Sequence, residues 1–393
     1  MRIAIYGGSF NPPHMGHARA ARAALGQLAP DLLLFVPDYL PPHKSLDSGS
    51  PDAWERFTMT QLMAREEFPA AQVSDLELGR GEISYTVDTL EELLGRYPGA
   101  EFYLLLGSDM FLSFESWYRF ERILELCTLA PFVRGPGEEA QLAAQAQRLG
   151  ERYGARVELI QNEFLEISST ELRAALKRGE GVRLIPRSVY AYIIGKRLYG
   201  AVPDLCWLRE QACARLDGRR AAHVRGAEEE AVKLAKRWGL DERPAAEAAI
   251  LHDITKQLPL EEQLILCARY DMINDTVELQ NPKLLHAKTG AALARERFGV
   301  SDEVFCAIRW HTTGRADMRP LEKILYLADY IEPARDFADL TELRRLSYTD
   351  LDGAMILALQ MSLAEVRARG DTPHERTKEA LDFLLRERKG EML

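Results

Sequence analysis

The spacing of apolar residues changes halfway along this chain of 393 residues. Before residue 200, short apolar and β-branched runs alternate with longer amphipathic segments, which predicts a parallel sheet covered by helices on both faces. After residue 203, apolar residues recur at three- and four-residue spacing, and no run is typical of a strand. We therefore expect a doubly wound α/β domain over 1–203 and an all-α domain over 204–393. The expected strands are 2–6, 32–36, 71–75, 102–106, 128–133 and 156–160.

Composition limits the partners and the compartment. The formal net charge of −10 argues against a general nucleic-acid-binding surface. No apolar stretch approaches the ~20 residues that cross a bilayer, and the first residues lack the cleavage region of a signal peptide. The five cysteines are scattered without CxxC spacing, which is typical of a reducing compartment. We expect a cytoplasmic protein without nucleic-acid or membrane partners, either alone or as a homo-oligomer.

The segment GGSFNPPHMGH leaves the first expected strand and opens a helix near Met15. Glycines let a backbone approach phosphate oxygens closely, and a helix N-terminus presents free N–H groups and the positive end of its dipole. His14 and His17 are three residues apart and therefore share one face of the first helical turn. The segment predicts a phosphate-binding loop whose two imidazoles stabilise charge that develops during transfer.

The segment ISSTELR lies far along the first domain and marks another helix start, because Ser168 and Glu171 have the spacing of a capping box. Ser169, Thr170 and the local amides can hold phosphate oxygens, and Arg173 adds a planar positive group. Taken alone, the segment is also typical of a plain helix cap with a surface arginine.

Together with LPPHKS, SYTVDTL, LLGSDM and ESWYRFERIL, these two segments resemble the bacterial nicotinate-mononucleotide adenylyltransferases of the HxGH nucleotidyltransferase group. The resemblance covers about the first 200 residues and implies a Rossmann-like fold. It also implies transfer of an adenylyl group from ATP, accompanied by Mg²⁺, to nicotinate mononucleotide, giving deamido-NAD and pyrophosphate. A different acceptor, such as phosphopantetheine or a glycerol phosphate, is the alternative; SYTVDTL, GSDM and Trp117 argue against it.

The resemblance implies roles for individual residues of the first domain. The ATP-binding residues are expected to be Gly7, Gly8, Ser9, Phe10, His14, His17, Ser168, Ser169, Thr170 and Arg173. The residues expected at nicotinate mononucleotide are Lys44, Tyr85, Thr86, Asp109 and Trp117, with Trp117 stacked on the pyridine ring. The expected catalytic residues are His14, His17, Lys44 and Arg173. Arg134 follows the fifth expected strand, and the sequence does not place it relative to substrate.

Histidine and aspartate recur in apolar helical segments of the second domain. Candidate metal ligands are His223, His252, Asp253, His286, His311 and Asp329. Asp329 follows Leu325 by four residues and Leu321 by eight, so it lies on the apolar stripe of its helix. A carboxylate there is costly unless it is paired or bound to metal. Imidazole and carboxylate suit Fe, Mn and similar divalent ions, and this set is large enough for two ions bridged by Asp253.

The order H…HD…H…H…D resembles the HD phosphohydrolase superfamily, and LLHDITKQLP, HTTGR and LEKILYLADYIEPARDF resemble its YqeK-type branch. The resemblance implies symmetrical cleavage of diadenosine tetraphosphate to two ADP with one or two divalent metals, iron above all and manganese as the alternative. Asp253 is then a catalytic residue, and Lys256 and Arg315 neutralise substrate phosphates.

Two features of the second domain leave room for other interpretations. Ala287 and Lys288 stand where the branch usually has Gly-Pro, which makes a nearby loop and the substrate fit less certain. His374, in a polar segment, is expected at the surface or near substrate rather than as a ligand. The domain could instead be a regulatory nucleotide-binding module, or act on another phosphate substrate. The complete set of ligand positions argues against a silent site.

Overall fold

The computed structural model describes residues 1–42, 46–165, 167–272, 275–280, 282–336 and 340–390. The chain divides into two compact units, Met1–Val202 and Pro203–Leu393. Among the described residues, no helix combines the length and the apolar character that crossing a bilayer requires.

The first unit contains a parallel sheet with helices between its strands. The strands are β1 (Arg2–Gly8), β2 (Leu32–Pro37), β3 (Gln72–Val73), β4 (Glu101–Gly107) and β5 (Cys127–Phe132). They pair in the order β3-β2-β1-β4-β5, and every pair is parallel. The helices are α1 (Met15–Leu28), α2 (Ala53–Glu67), α3 (Leu76–Arg80), α4 (Thr86–Arg96), α5 (Ser108–Leu112), α6 (Phe120–Leu126), α7 (Glu139–Tyr153), α8 (Ser169–Lys177) and α9 (Arg187–Lys196). The predicted Rossmann-like α/β fold is confirmed.

The expected sixth strand, 156–160, is not formed as a strand. This segment runs beside β5 through isolated bridges from Val157 to Leu129 and from Ile160 to Phe132. Its backbone amides still bond the carbonyls of Leu129 and Pro131, both at 2.9 Å. Pro131 has no N–H to donate in return, so the ladder is interrupted at the point where a full strand would continue.

The second unit is helical throughout its described residues, as predicted. Its helices are α10 (Leu205–Cys213), α11 (Gly218–Arg237), α12 (Glu242–Leu251), α13 (Leu260–Arg269), α14 (Thr276–Gln280), α15 (Leu285–Phe298), α16 (Asp302–Trp310), α17 (Pro320–Ile331), α18 (Leu340–Ser347), α19 (Leu351–Ala368) and α20 (Glu375–Lys389). The C-terminal half of α12 is buried on all sides from Ala245 to Leu251. Its run of alanines lets neighbouring helices approach closely, so the residues that follow α12 lie at the centre of the bundle.

Candidate active sites

A cavity of about 450 Å³ opens at the carboxyl ends of β1 and β4, where the strand order reverses. Open parallel sheets bind ligands at this switch point. Most of the predicted ATP and acceptor residues line it, namely Gly7, Gly8, Ser9, Phe10, His14, His17, Thr86, Asp109, Trp117, Ser169, Thr170 and Arg173. The structure therefore brings segments separated by about 150 residues of sequence to one cavity.

His14 and His17 lie at the start of α1 with their ring centroids 3.8 Å apart. The Gly16 amide donates to His14 Nδ1 at 3.1 Å, and the His14 amide donates to His17 Nδ1 at 3.2 Å. Because both Nδ1 atoms accept, a neutral ring carries its proton on Nε2. Burial, assisted by the charge of Arg134, lowers the pKa of His14 to about 3. At neutral pH, His14 is therefore an uncharged N–H donor rather than an imidazolium.

Arg56, on α2, fixes the glycine loop from beneath and is fully buried. Its NH1 group donates to the carbonyl of Ser9 at 2.7 Å and to Asp38 Oδ1 at 2.9 Å. Its NH2 group donates to the carbonyls of Asp38 at 2.8 Å and Tyr39 at 2.9 Å. Ser9 Oγ completes the network by donating to Asp38 Oδ2 at 2.7 Å. The sequence motifs do not single out Arg56, although it holds the predicted phosphate loop in shape.

The second phosphate-binding segment begins α8 with the predicted capping box. The Glu171 amide donates to Ser168 Oγ at 3.1 Å, and the Ser168 amide donates to the Glu171 carboxylate at 3.3 Å. Arg173 donates to the carbonyl of Asn11 at 2.9 Å and to Thr170 Oγ1 at 3.1 Å. Arg173 therefore ties the start of α8 to the loop that precedes α1.

Asp109, which the sequence predicts at the acceptor, forms an ion pair that the sequence could not place. Arg134 and Asp109 both line the cavity, and NH1 of Arg134 lies 2.7 Å from Asp109 Oδ2. Tyr85 precedes α4, and its ring packs on Tyr118 with centroids 4.8 Å apart. Lys44, predicted as catalytic and acceptor-binding, lies outside the described residues.

Glu77 is a buried carboxyl group in the wall of the same cavity. Thr89 Oγ1 donates to its Oε1 atom at 2.6 Å. Burial raises the pKa of Glu77 to about 7, so this group exchanges a proton near neutral pH. The sequence motifs do not single out Glu77, because a glutamate in a short polar segment is also typical of an exposed turn.

In the second unit, four histidines are held in one tautomer by bonds to their Nδ1 atoms. His252, His286 and His311 each have Nδ1 bonded to the backbone carbonyl three residues earlier. His223 Nδ1 instead donates to Glu332 Oε1 at 3.1 Å. Carbonyl and carboxylate oxygens only accept, so Nδ1 carries the proton and Nε2 is free to bind an ion. Glu332 is a further residue that the sequence motifs do not single out.

These histidines and two aspartates form what we call the HD cluster: His223, His252, Asp253, His286, His311 and Asp329. On one side of the cluster, Asp253 Oδ2 lies 3.7 Å from His223 Nε2 and 3.5 Å from His252 Nε2. Asp329 Oδ1 lies 2.9 Å from His223 Nε2 on this side. The helical bundle thus brings ligand atoms from α11, the end of α12 and α17 together.

The other oxygen of Asp253 faces the remaining two histidines. Oδ1 lies 3.1 Å from His286 Nε2 and 3.9 Å from His311 Nε2, and the two Nε2 atoms are 3.1 Å apart. The two carboxylate oxygens of Asp253 therefore point to separate groups of imidazoles. Candidate ligand atoms therefore lie on both sides of Asp253, which fits binding of a divalent metal.

Two imidazoles and one carboxylate of the HD cluster are held in the forms that bind a divalent metal. Burial lowers the pKa of His311 to about 3 and also lowers that of His286, which keeps both rings neutral, whereas Asp253 and Asp329 raise the pKa of His252 against the effect of burial. Although burial opposes it, the adjacent His252 holds the pKa of Asp253 well below its ordinary value. Nε2 of His223 faces Asp329 Oδ1 at 2.9 Å, and within the described part of the chain Nε2 of the buried His252 has no hydrogen-bond partner. Neutral imidazoles and ionised carboxylates are the forms that bind metal.

Among the described residues, three cationic groups contact the HD cluster, and Lys256 is the one that the sequence predicts. Lys256 Nζ lies 3.1 Å from His286 Nε2. Arg220 NH1 lies 2.9 Å from Asp253 Oδ2, and Arg335 NH2 lies 3.0 Å from Asp329 Oδ1. All three side chains are partly exposed to solvent.

Arg315, the other predicted phosphate-binding residue, has a different environment. Its guanidinium donates to both carboxylate oxygens of the fully buried Glu322, at 2.9 and 3.0 Å. A buried carboxylate needs such a partner, and the bidentate geometry satisfies it well. The contacts of Arg315 therefore indicate a structural role. Its predicted contact with substrate phosphates stays a prediction.

His374 is expected at the surface or near substrate. The surface position is wrong, because His374 is 7% exposed. It caps α20 by accepting the amide of Arg376, and its Nε2 lies 2.9 Å from Asp275 Oδ2. The Glu278 carboxylate also lies near the His374 imidazole, but the Lys288 ammonium already pairs with this carboxylate. We interpret these residues as a salt-bridge network that anchors α14.

Each unit matches a known domain family. Residues 5–175 match the cytidylyltransferase-like family, and residues 220–334 match the HD domain family. The first match includes the cavity residues up to Arg173, and the second includes every member of the HD cluster. An HD domain implies that the second unit binds a divalent metal.

Whole proteins from bacteria are similar to this chain. A protein from Mycoplasma pneumoniae, named as a probable nicotinate-nucleotide adenylyltransferase/Ap4A hydrolase, is 30% identical over 372 residues, covering 93% of this chain and 98% of that protein. A probable nicotinate-nucleotide adenylyltransferase from Geobacter sulfurreducens is 36% identical over 214 residues, covering 51% of this chain and 98% of that protein. A solved structure from Clostridium acetobutylicum, described as a predicted HD superfamily hydrolase involved in NAD metabolism, is 32% identical with a TM-score of 0.46, covering 48% of this chain and 100% of its own.

Proposed function

Because this chain belongs to the family of nicotinate-nucleotide adenylyltransferase/Ap4A hydrolases, we propose that it is a bifunctional enzyme with one reaction in each unit. The first unit transfers an adenylyl group from ATP to nicotinate mononucleotide. The second unit hydrolyses diadenosine tetraphosphate to two ADP. The observation that carries this proposal is the presence of two chemically different groups of residues, those that line the cavity at β1 and β4 and those of the HD cluster.

In the first reaction, a phosphate oxygen of nicotinate mononucleotide attacks the α-phosphorus of ATP. The new P–O bond forms as the bond to the β-phosphate breaks, and pyrophosphate leaves with the negative charge. No protein nucleophile is needed, so catalysis consists of positioning and charge stabilisation. We assign the neutral Nε2–H of His14, the ring of His17, the α8 amides at Ser169 and Thr170, and Arg173 to the phosphates of Mg²⁺-bound ATP.

The acceptor occupies the other end of the cavity in this proposal. Trp117 stacks on the pyridine ring, Thr86 at the start of α4 faces the ring carboxylate, and Asp109 binds a ribose. Arg134 pairs with Asp109 at 2.7 Å and holds the Asp109 carboxylate in place until substrate binds. Lys44 remains a candidate on sequence grounds for the reacting phosphates.

In the second reaction, water adds across the central phosphoanhydride of diadenosine tetraphosphate, and each half leaves as ADP. Bound at the HD cluster, divalent metal ions supply Lewis acidity and activate water for attack on phosphorus. The four imidazoles and the two aspartates hold the ions, which we propose are iron or manganese. Lys256, Arg220 and Arg335 neutralise the polyphosphate, because their cationic groups already face the cluster.

Two assays of one purified preparation test this function. With ATP and Mg²⁺, the protein should form deamido-NAD from nicotinate mononucleotide, with a higher kcat/KM than for nicotinamide mononucleotide. With Fe²⁺ or Mn²⁺, it should release ADP as the sole nucleotide product from diadenosine tetraphosphate. Formation of AMP and ATP would contradict symmetrical cleavage, and equal or reversed kcat/KM for the two acceptors would contradict the acceptor assignment.

A further inference from the structure

Glu77 occupies a position in the cavity wall that the proposed reaction leaves without a role. The residue is 7% exposed and lines the cavity together with Ser84, Thr86 and Thr89. A carboxyl group buried in the wall of a binding cavity is costly unless it is satisfied. The contacts of this carboxyl group therefore indicate its role.

The contacts of Glu77 lead directly to the start of α4. Thr89 Oγ1 donates to Glu77 Oε1 at 2.6 Å, and the same hydroxyl lies 3.5 Å from the carbonyl of Tyr85. The Ser84 hydroxyl also lowers the pKa of the carboxyl group, although burial raises it more. Glu77 is thus one hydroxyl away from the Tyr85-Thr86 junction, where the proposed acceptor places the substituent of its pyridine ring.

The charged groups around Glu77 do not neutralise it completely. Asp38, at the end of β2, opposes its ionisation, while Arg80 on α3 favours it. Arg56, on α2, is already engaged by Asp38 at 2.9 Å, and NH2 of Arg80 donates to Thr89 Oγ1 at 3.1 Å rather than to the carboxyl group. Glu77 consequently lacks a direct cationic partner among the described residues, and both of its protonation states are accessible near neutral pH.

We propose that Glu77 is a specificity-determining residue of the acceptor pocket, whose neutral form favours an anionic ring substituent and whose ionised form disfavours it. The inference rests on the proposed function, which makes a pyridine mononucleotide the acceptor. Two like charges in one cavity repel, so ionised Glu77 opposes binding of the nicotinate carboxylate. A carboxamide in the same place is uncharged, so ionised Glu77 does not repel it.

The sign of the pH dependence follows from these charges. Burial raises the pKa of Glu77 to about 7, so its neutral form predominates at pH 6 and its ionised form at pH 8. Preference for nicotinate over nicotinamide mononucleotide should therefore fall as pH rises through this range. Groups that contact only the 5′-phosphate, the ribose or ATP affect both acceptors equally, because the two acceptors share these parts, and such groups cancel in the ratio.

The experiment measures kcat/KM for the two mononucleotides from pH 6 to pH 8 in the full-length enzyme. We expect the nicotinate-to-nicotinamide ratio to fall on the order of tenfold in the wild type. In Glu77→Gln, which keeps the side-chain shape but cannot ionise, the ratio should be independent of pH. Glu92→Gln removes a carboxylate that contacts the same Arg80 from the exposed side, and it should retain the wild-type slope.

A second measurement on the wild type does not depend on the folding of a variant. If the nicotinate carboxylate favours neutral Glu77, its binding at pH 7 should take up more protons than binding of the carboxamide. Calorimetry in buffers of different ionisation enthalpy reads this difference. A flat ratio in the wild type, an unchanged slope in Glu77→Gln, or equal proton uptake overturns the inference and leaves the adenylyltransferase assignment standing. Failure to form deamido-NAD at any pH overturns both.

Discussion

Glu332 accepts a hydrogen bond from His223 Nδ1 at 3.1 Å and is itself 3% exposed. Its other oxygen accepts the amide of Ala334 at 2.7 Å, which fixes the orientation of the carboxylate. A carboxylate behind a metal-binding histidine sets the tautomer and raises the basicity of the ring. The pair therefore directs His223 Nε2 toward Asp329 in the HD cluster.

Replacing Glu332 by glutamine should weaken metal binding by roughly 10–100-fold, because the amide supports the His223 ring less well than the carboxylate does. Equilibrium dialysis against Mn²⁺ measures the affinity directly. Glu342→Gln removes an exposed carboxylate of the same unit that pairs with Arg345, and it should bind metal normally. A folded Glu332→Gln protein with wild-type affinity would show that His223 does not depend on this contact.

Arg56→Ala should lower the free energy of unfolding of the first unit by about 3–5 kcal/mol, because it leaves Asp38 buried without its cation. Denaturant titration, with adenylyl-transfer activity as the measured signal, reports the stability of this unit. The matched control is Arg22→Ala, which breaks an exposed pair with Glu67. Exposed pairs contribute about 1 kcal/mol or less. Equal losses in the two variants would contradict the anchoring role of Arg56.

His14 should make the first unit less stable in acid. Burial lowers its pKa to about 3 when the chain is folded, against about 6.5 when unfolded. The folded state therefore binds fewer protons, and this contribution to stability, complete above pH 6.5, is lost as pH falls towards 3. His14→Gln lacks this pH-dependent contribution. The unfolding free energy of the wild type minus that of the variant should therefore fall by about 2 kcal/mol between pH 7 and pH 5. A constant difference would mean that folding does not lower the pKa of His14.

Much of the architecture was predictable because periodicity and motif spacing are local properties. The strand-helix alternation gave the parallel sheet, and the capping-box spacing of Ser168 and Glu171 gave the start of α8. The prediction of a sixth strand was wrong because Pro131, in β5, has no N–H to donate. The missing donor interrupts pairing with the adjacent segment 156–160, whose own sequence does not reveal it.

The supporting residues of both sites were not predictable, because their roles depend on distant partners. Arg56 reaches Ser9 across 47 residues, and Glu332 reaches His223 across 109. Arg134 pairs with Asp109 across 25 residues. Spacing along the chain contains no signal for such contacts, whereas the histidines of the HD cluster stood out because they interrupt apolar helices.

The two units should be separable after Val202. The amide of Val202 bonds the carbonyl of Leu176 at 3.1 Å, and the buried Tyr199 hydroxyl donates to Asn11 at 2.8 Å. Residues 1–202 expressed alone should therefore fold and retain adenylyl transfer. A shorter fragment, 1–186, loses α9 and Tyr199 and should be unstable in circular dichroism melts. Failure of the 1–202 fragment to fold, with the full chain stable, would show that the units depend on each other.

The most direct test of two independent sites is to assay both reactions on one preparation of Asp253→Ala. Asp253 contacts both imidazole groups of the HD cluster, so its loss should abolish hydrolysis of diadenosine tetraphosphate and lower bound metal. Formation of deamido-NAD should continue at nearly the wild-type rate. His17→Ala, at the cavity of the first unit, should produce the converse pattern. Unchanged hydrolysis in Asp253→Ala, or loss of both activities in the folded variant, would contradict the account.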